Sequence, residues 1–240
     1  MNSPYKPLAM LVYSDSEILV INKPAGLLSL QDGYDKTLPH MITVLEPEFG
    51  RLLMVHRLDR ETSGLVVVAR TVGAHRQLNI QFQKREVSKI YHALVQGSPP
   101  WDRISINYPL RRDGDRQHRT VIDMQRGKKA STEFFVLERF KEFSLIEARP
   151  KTGYTHQIRA HIARIGFPVV SDRLYNKTGK NSSSQSEMDS DTYQNIIDRL
   201  ALHASSISFI HPSSGQKVSF SAPYPEDFQQ ALDFQRNKSS

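Results

Sequence analysis

The sequence predicts an α+β fold built on a largely antiparallel, mixed sheet flanked by helices. Three observations point to it. Short segments rich in β-branched or alternating apolar residues recur along the chain. Amphipathic stretches lie among them without a regular strand–helix–strand alternation, which argues against a parallel sheet. Residues 64–69 form a continuous apolar run, mostly β-branched, as expected of a strand covered on both faces.

In chain order, residues 11–13 and 17–22 read as short strands joined by a turn at Ser14-Asp15-Ser16. Lys23-Pro24-Ala25-Gly26 ends the second of them. Residues 37–45 read as a helix, with Leu38, Met41, Ile42 and Leu45 on one face. Residues 71–84 form a second helix, and 87–95 alternate like a strand. Residues 131–136 and 143–148 pair across a turn near 139–141. Residues 155–165 form an amphipathic helix, with Ile158, Ile162 and Ile165 at helical spacing and a stop at Gly166 and Pro168. A late strand at 218–220 and a terminal helix at 225–234 complete the series. Residues 176–192, with five serines and almost nothing apolar, read as a flexible loop inside one domain, because patterned sequence resumes at Ile196.

The 240 residues suffice for one well-buried domain, taken as 1–240. No apolar run approaches the roughly 20 residues of a membrane span, and no signal-peptide core follows the N-terminus. With no cysteine, disulfides, thiolate catalysis and cysteine-bound zinc are excluded. A cytoplasmic monomer with no membrane contact and no obligate protein partner is the expectation. The net charge of +7 points to a polyanionic partner. More than half of it falls in residues 111–129, where seven basic residues face three acids. Asp113-Gly114-Asp115 is a turn signal there, so Arg111, Arg112, Arg116 and Arg119 are expected on a projecting basic ribbon.

The run His56-Arg57-Leu58-Asp59-Arg60-Glu61-Thr62-Ser63-Gly64 sets an acid among basic side chains in a loop that feeds the buried strand. Neighbouring cations favour the charged form of a carboxylate, and a rigid strand fixes its direction. Three further segments go with it: 89–97, beginning Lys89-Ile90-Tyr91-His92; 152–161, reading Thr-Gly-Tyr-Thr-His-Gln-Ile-Arg-Ala-His; and Leu202-His203-Ala204 followed by Phe209-Ile210-His211-Pro212. In this order and spacing, with the turn at 22–26, they resemble the RluA-type pseudouridine synthases. The resemblance covers about residues 11–228, and a member without the small N-terminal RNA-binding domain of many relatives is the expectation.

That resemblance implies a pseudouridine synthase-like fold with a catalytic cleft across the sheet. It also implies a cofactor-free isomerase that flips a uridine out of ribosomal or transfer RNA, detaches the base from the anomeric carbon and rejoins it through carbon 5. Asp59 is then the essential carboxylate, acting as nucleophile or as base. Arg159 is the arginine expected to pair with that carboxylate. Tyr91 is the tyrosine expected to stack on the target base, with proton removal from carbon 5 as a second role. Arg57 is implied to insert where the flipped base was, and Leu202 to wall the uracil, an ordinary core leucine being the alternative. RNA capture falls to the catalytic domain, including the basic ribbon.

Two departures from the family pattern stand out. Tyr154 occupies a position usually basic, and Ser171-Asp172-Arg173-Leu174-Tyr175-Asn176 replaces Gly-Asp-x-x-Tyr-Gly. No metal site is expected, since His156 and His161, five apart on a helix, diverge by about 140°, and no cysteine or His-Glu-x-x-His pattern accompanies them. His56, His92, His203 and His211 are expected to be hydrogen-bonded structural residues. The rival functions are a non-catalytic RNA-binding or RNA-chaperone protein on the same fold and, ranked lower for want of a second carboxylate beyond Glu61, an RNA-directed glycosidase.

Overall fold

The computed structural model describes residues 4–176 and 197–239. The expected loop at 176–192 therefore lies, from residue 177 on, outside the described residues. The chain runs α1 (Pro7–Met10), β1 (Leu11–Ser14), β2 (Ile18–Lys23), α2 (Met41–Phe49), β3 (Leu53–Met54), β4 (Ser63–Ala69), α3 (Val72–Lys84) and β5 (Ser88–Gln96). It continues through β6 (Arg103–Ile106), β7 (Leu110–Arg111), β8 (Val121–Ile122), β9 (Thr132–Arg139), β10 (Phe143–Pro150) and α4 (Gln157–Arg164). After the segment not described come β11 (Leu202–Ile210), β12 (Lys217–Ser221) and the C-terminal helix, here α5 (Glu226–Ser239). Two compact units emerge: Met1–Tyr91 with His203–Tyr224, and His92–Leu202 with Pro225–Ser240.

The first unit is organised around β4, every residue of which is buried. It pairs antiparallel with β2, from Ile18↔Ala69 to Lys23↔Gly64, and parallel with β11 at His203↔Ser63 and Ala204↔Gly64. Alternation along a strand sends successive side chains to opposite faces. Val66 and Val68 pack with Leu19, Ile21 and the α2 residues Met41, Val44 and Leu45. Leu65, Val67 and Ala69 pack with Ile18, Val20, the α3 residues Ala74 and Leu78, and Phe209 of β11. A helix on each face is why the run is apolar throughout. Gly64 lies where β4 meets β11: its φ is +110°, and a Cβ there would stand 2.3 Å from the Ala204 carbonyl oxygen.

The helix predicted at 37–45 instead spans Met41–Phe49. Proline disfavours helical geometry in the residue before it, so Pro39 holds Leu38 out. His40 then caps the helix, its backbone N–H donating to Thr43 Oγ1 at 3.0 Å, while the Met41 N–H reaches back to the Leu28 carbonyl at 2.9 Å.

In the second unit β9 pairs antiparallel with β10 on one side and β6 on the other, and β7 pairs with β8 as a separate two-stranded ribbon. β4–β11 is parallel, while β1–β2, β2–β4, β3–β4, β6–β9, β7–β8, β9–β10 and β11–β12 are antiparallel, so the architecture is the mixed, largely antiparallel α+β type the sequence predicts. Four-residue β6 and the two-residue strands were too short to show as patterns in the sequence. Helix α4 begins at Gln157, not at 155, because His156 takes a left-handed conformation at φ 53°.

Candidate active site

Asp59 lies half-buried in the loop between β3 and β4, and the loop is clamped on both sides of it. On the near side, buried Ser29 bonds the backbone of Leu58 twice, its hydroxyl donating to the carbonyl at 2.8 Å and accepting the N–H at 3.1 Å. On the far side, the fully buried Lys23 ammonium donates to the carbonyls of Pro24 (2.9 Å), Leu27 (2.8 Å) and Arg60 (3.0 Å). The Gly26 N–H adds a second bond to the Arg60 carbonyl at 2.9 Å, and the Thr62 N–H closes a turn onto the Asp59 carbonyl at 3.1 Å. A charged donor buried among carbonyls makes strong bonds, each worth about 1.5–3 kcal/mol. The backbone bearing Asp59 is therefore rigid, which is the condition for an aimed carboxylate.

Tyr91, near the middle of β5, packs half-buried against the core cluster that includes Leu58, the residue before Asp59. Burial, and then the charge of Asp59, push its phenol well above the usual tyrosine range. The structure thus brings Asp59 and Tyr91 into one electrostatic neighbourhood and keeps the phenol neutral. His56 supports the same loop from behind, its Nε2 accepting the Val67 N–H at 3.0 Å and its ring stacking on Phe82 at 4.6 Å. Burial, helped by Lys89, lowers its pKa to about 3. It is a neutral acceptor, as a structural role requires.

Arg159 belongs to the second unit, in the first turn of α4. Its Nε and Nη2 form a two-pronged pair with the Asp172 carboxylate, both at 2.8 Å, and both side chains are buried. Asp172 is itself anchored, its Oδ1 accepting the N–H groups of Leu174 (3.0 Å) and Tyr175 (3.1 Å). The guanidinium also lies 5.1 Å from the centre of the Tyr175 ring. Two-pronged pairing fixes the plane of a guanidinium as well as its position. The Tyr175 hydroxyl in turn donates to the Thr120 carbonyl at 3.0 Å and accepts the Thr120 N–H at 2.9 Å, tying this cluster to the residue that leads into ribbon strand β8.

With this geometry in place, comparison with known proteins is decisive. Residues 17–164 match the RNA pseudouridylate synthase family. The chain belongs to that family. Its activity is the isomerisation of uridine in RNA to pseudouridine. Ribosomal large subunit pseudouridine synthase D of Zymomonas mobilis is 36% identical over 240 residues, 95% of this chain and 73% of that protein. The dual-specificity RNA pseudouridine synthase RluA of Escherichia coli is 33% identical over 223 residues, 92% of this chain and 96% of that one. The solved structure of human RNA pseudouridylate synthase domain containing 4 superposes with a TM-score of 0.77, covering 96% of this chain and 94% of that one at 22% identity, a likeness of fold.

Within this pseudouridylate synthase the other predicted site residues are placed as follows. Arg57 is exposed beside the Asp59 loop. Leu202 is buried as the first residue of β11. The basic ribbon exists as β7 and β8, but its arginines differ. Arg119 is folded inward, paired with Asp115 at 2.7 Å and donating to the Leu174 carbonyl at 2.9 Å. Arg111 pairs with Asp123 at 2.6 Å, and Arg112 with Asp113 at 3.2 Å while staying well exposed. Arg116 is exposed. Tyr154 packs beneath the ribbon with Leu110, Ala130, Ala160 and Tyr175, so at this position an apolar contact stands in for a cation.

Of the four histidines expected to be structural, besides His56, His203 bonds Ser63 (2.9 Å) and His211 bonds Asp15 (2.8 Å), while His92 faces Glu147 at 3.7 Å. His156 and His161 go to different partners, Tyr175 and Thr132. Among the described residues no group of three or more His, Asp or Glu side chains converges on a point suited to a metal. Sequence reasoning passed over Lys23, Ser29 and Asp172 as supports of the site. Lys23 stood in a turn already noted and Asp172 in a segment flagged only for its departure from the family pattern.

Proposed function

We propose that this chain is a monomeric cytoplasmic enzyme that isomerises a uridine in a stem-loop of ribosomal or transfer RNA, with Asp59 as the essential carboxylate. The observation that carries this reading is the half-buried Asp59, held on a doubly clamped loop with the neutral Tyr91 phenol in its field. The bond from the anomeric carbon to N1 breaks, the base turns, and a bond to carbon 5 forms. The proton leaving carbon 5 is balanced by one gained at N1, so no redox partner or outside energy is required. Asp59 serves as nucleophile or base; both routes use its carboxylate form. Tyr91 offers a flat apolar face to the uracil, worth about 1–3 kcal/mol for a stacked base. Extraction of a nucleotide from a helix costs a few kcal/mol, and exposed Arg57 fills the space it leaves. Arg159, its plane set by Asp172, pairs with the catalytic carboxylate, and Leu202 walls the uracil. Of the ribbon arginines the exposed Arg112 and Arg116 track the RNA backbone, while Arg111 and Arg119, paired with Asp123 and Asp115, hold the ribbon in shape. The names of the relatives, ribosomal large subunit and dual-specificity RNA synthases, favour ribosomal RNA as a substrate and allow a second RNA target.

Mapping pseudouridine across total RNA from cells with and without this protein tests the assignment. One or a few stem-loop positions should lose the modification and regain it on complementation. Identical maps with and without the protein would remove the assignment.

A further inference from the structure

Tyr34 is the most exposed large hydrophobic side chain among the described residues, at 103% of its reference area, against 49% for Phe234 and 37% for Tyr108. It stands in the connection between β2 and α2, and that connection is built to hold it. Asp32 Oδ1 accepts the N–H of Tyr34 at 2.8 Å and of Asp35 at 2.9 Å. Asp35 in turn accepts the Thr37 N–H (2.9 Å) and hydroxyl (2.6 Å). The base of the loop is closed by the Met41 N–H on the Leu28 carbonyl at 2.9 Å.

This loop touches the Asp59 loop on both sides of the aspartate. Ser29 bonds the backbone of Leu58 at 2.8 and 3.1 Å. Gly26, in the same connection, donates its N–H to the Arg60 carbonyl at 2.9 Å and accepts Arg60 Nε at 3.2 Å. The residues before and after Asp59 are thus both neighbours of the segment carrying Tyr34. Exposed Lys36 follows Tyr34 by two residues, Asp32 and Asp35 beside it are engaged by backbone N–H groups, and the Asp59 loop to which the connection is bonded carries the exposed Arg57 and Arg60. A fully exposed ring contributes nothing to packing, so folding does not explain it. An exposed aromatic face on a segment bonded to a loop with exposed arginines is the composition of a platform for single-stranded nucleic acid, where bases stack and phosphates are neutralised.

We infer that Tyr34 stacks on an unpaired nucleobase flanking the target uridine and so positions the RNA over Asp59. This rests on the reading of Asp59 as the catalytic carboxylate. Steady-state kinetics on a modified stem-loop, for wild type, Tyr34→Ala and Tyr34→Trp, test it. The alanine variant should raise KM by about 5- to 150-fold with kcat and the thermal midpoint unchanged, and tryptophan should keep KM near wild type. A second measurement is independent of turnover. RNA carrying 2-aminopurine beside the target uridine should lose fluorescence on binding the Asp59→Asn protein, and lose much less when Tyr34→Ala is added. An unchanged KM in Tyr34→Ala, or equal quenching with and without the ring, overturns the inference while leaving the catalytic assignment intact. A wild-type protein that forms no pseudouridine overturns both.

Discussion

At position 56 a histidine stands three residues before the proposed catalytic carboxylate and yet has a purely supporting part. Its Nε2 accepts a strand N–H, and burial with the nearby Lys89 lowers its pKa to about 3. An unfolded chain protonates this ring near 6.5, whereas the folded one resists protonation until about 3. The unfolded state therefore binds more protons across that window. Stability is complete above about 6.5 and declines as pH falls toward 3. Thermal midpoints measured from pH 7 to pH 4 should fall less steeply in His56→Gln than in wild type; parallel curves would contradict this. Asp172 makes the converse case of a charge that must be kept. Removing one partner of a buried pair costs about 3–5 kcal/mol, because the other is left uncompensated. Asp172→Asn should lose stability of that order in denaturant unfolding, with a fall in kcat beyond what unfolding explains. A loss under about 1 kcal/mol would mean that Arg159 is not held as described.

Among the elements, β4 was the most legible, because an unbroken apolar run has one simple cause: a helix on each face. Its second residue is the least forgiving. Gly64 combines φ +110° with close approach to the Ala204 backbone, so Gly64→Ala adds both strain and a clash. The expected cost is about 3 kcal/mol or more, read as a lower unfolding midpoint. A neutral alanine would show that β11 does not approach β4 as closely as described. Helix α2 was legible in kind but not in position. Its apolar spacing extends back through Leu38, but Pro39 excludes the helical geometry there. Helix α4 shows the same limit, since a left-handed His156 delays its start by two residues from the predicted 155. Periodicity reports which face is buried, and backbone exceptions decide where an element begins.

For the whole molecule, the sequence could single out Asp59 and Tyr91 as candidates because each sits in a short motif. It did not reveal their supports. Lys23 reaches Arg60 across 37 residues, Ser29 reaches Leu58 across 29, and Asp172 reaches Arg159 across 13. Such bonds leave no local pattern. The basic charge was legible as a total, but the structure divides it by role. Arg119 is spent inside its own cluster, whereas Arg112 and Arg116 are exposed. Arg112→Gln with Arg116→Gln should weaken RNA binding and lower the slope of log affinity against log salt by about 0.7–0.9 for each phosphate no longer neutralised. Arg119→Gln should chiefly lower stability. An unchanged slope in the double variant would take the ribbon out of the RNA path. The carboxylate itself remains the centre of the account, and single-turnover conversion of a target stem-loop by Asp59→Asn tests it most directly. The substitution should leave the fold and RNA affinity near wild type and abolish pseudouridine formation; conversion at the wild-type rate would contradict the account.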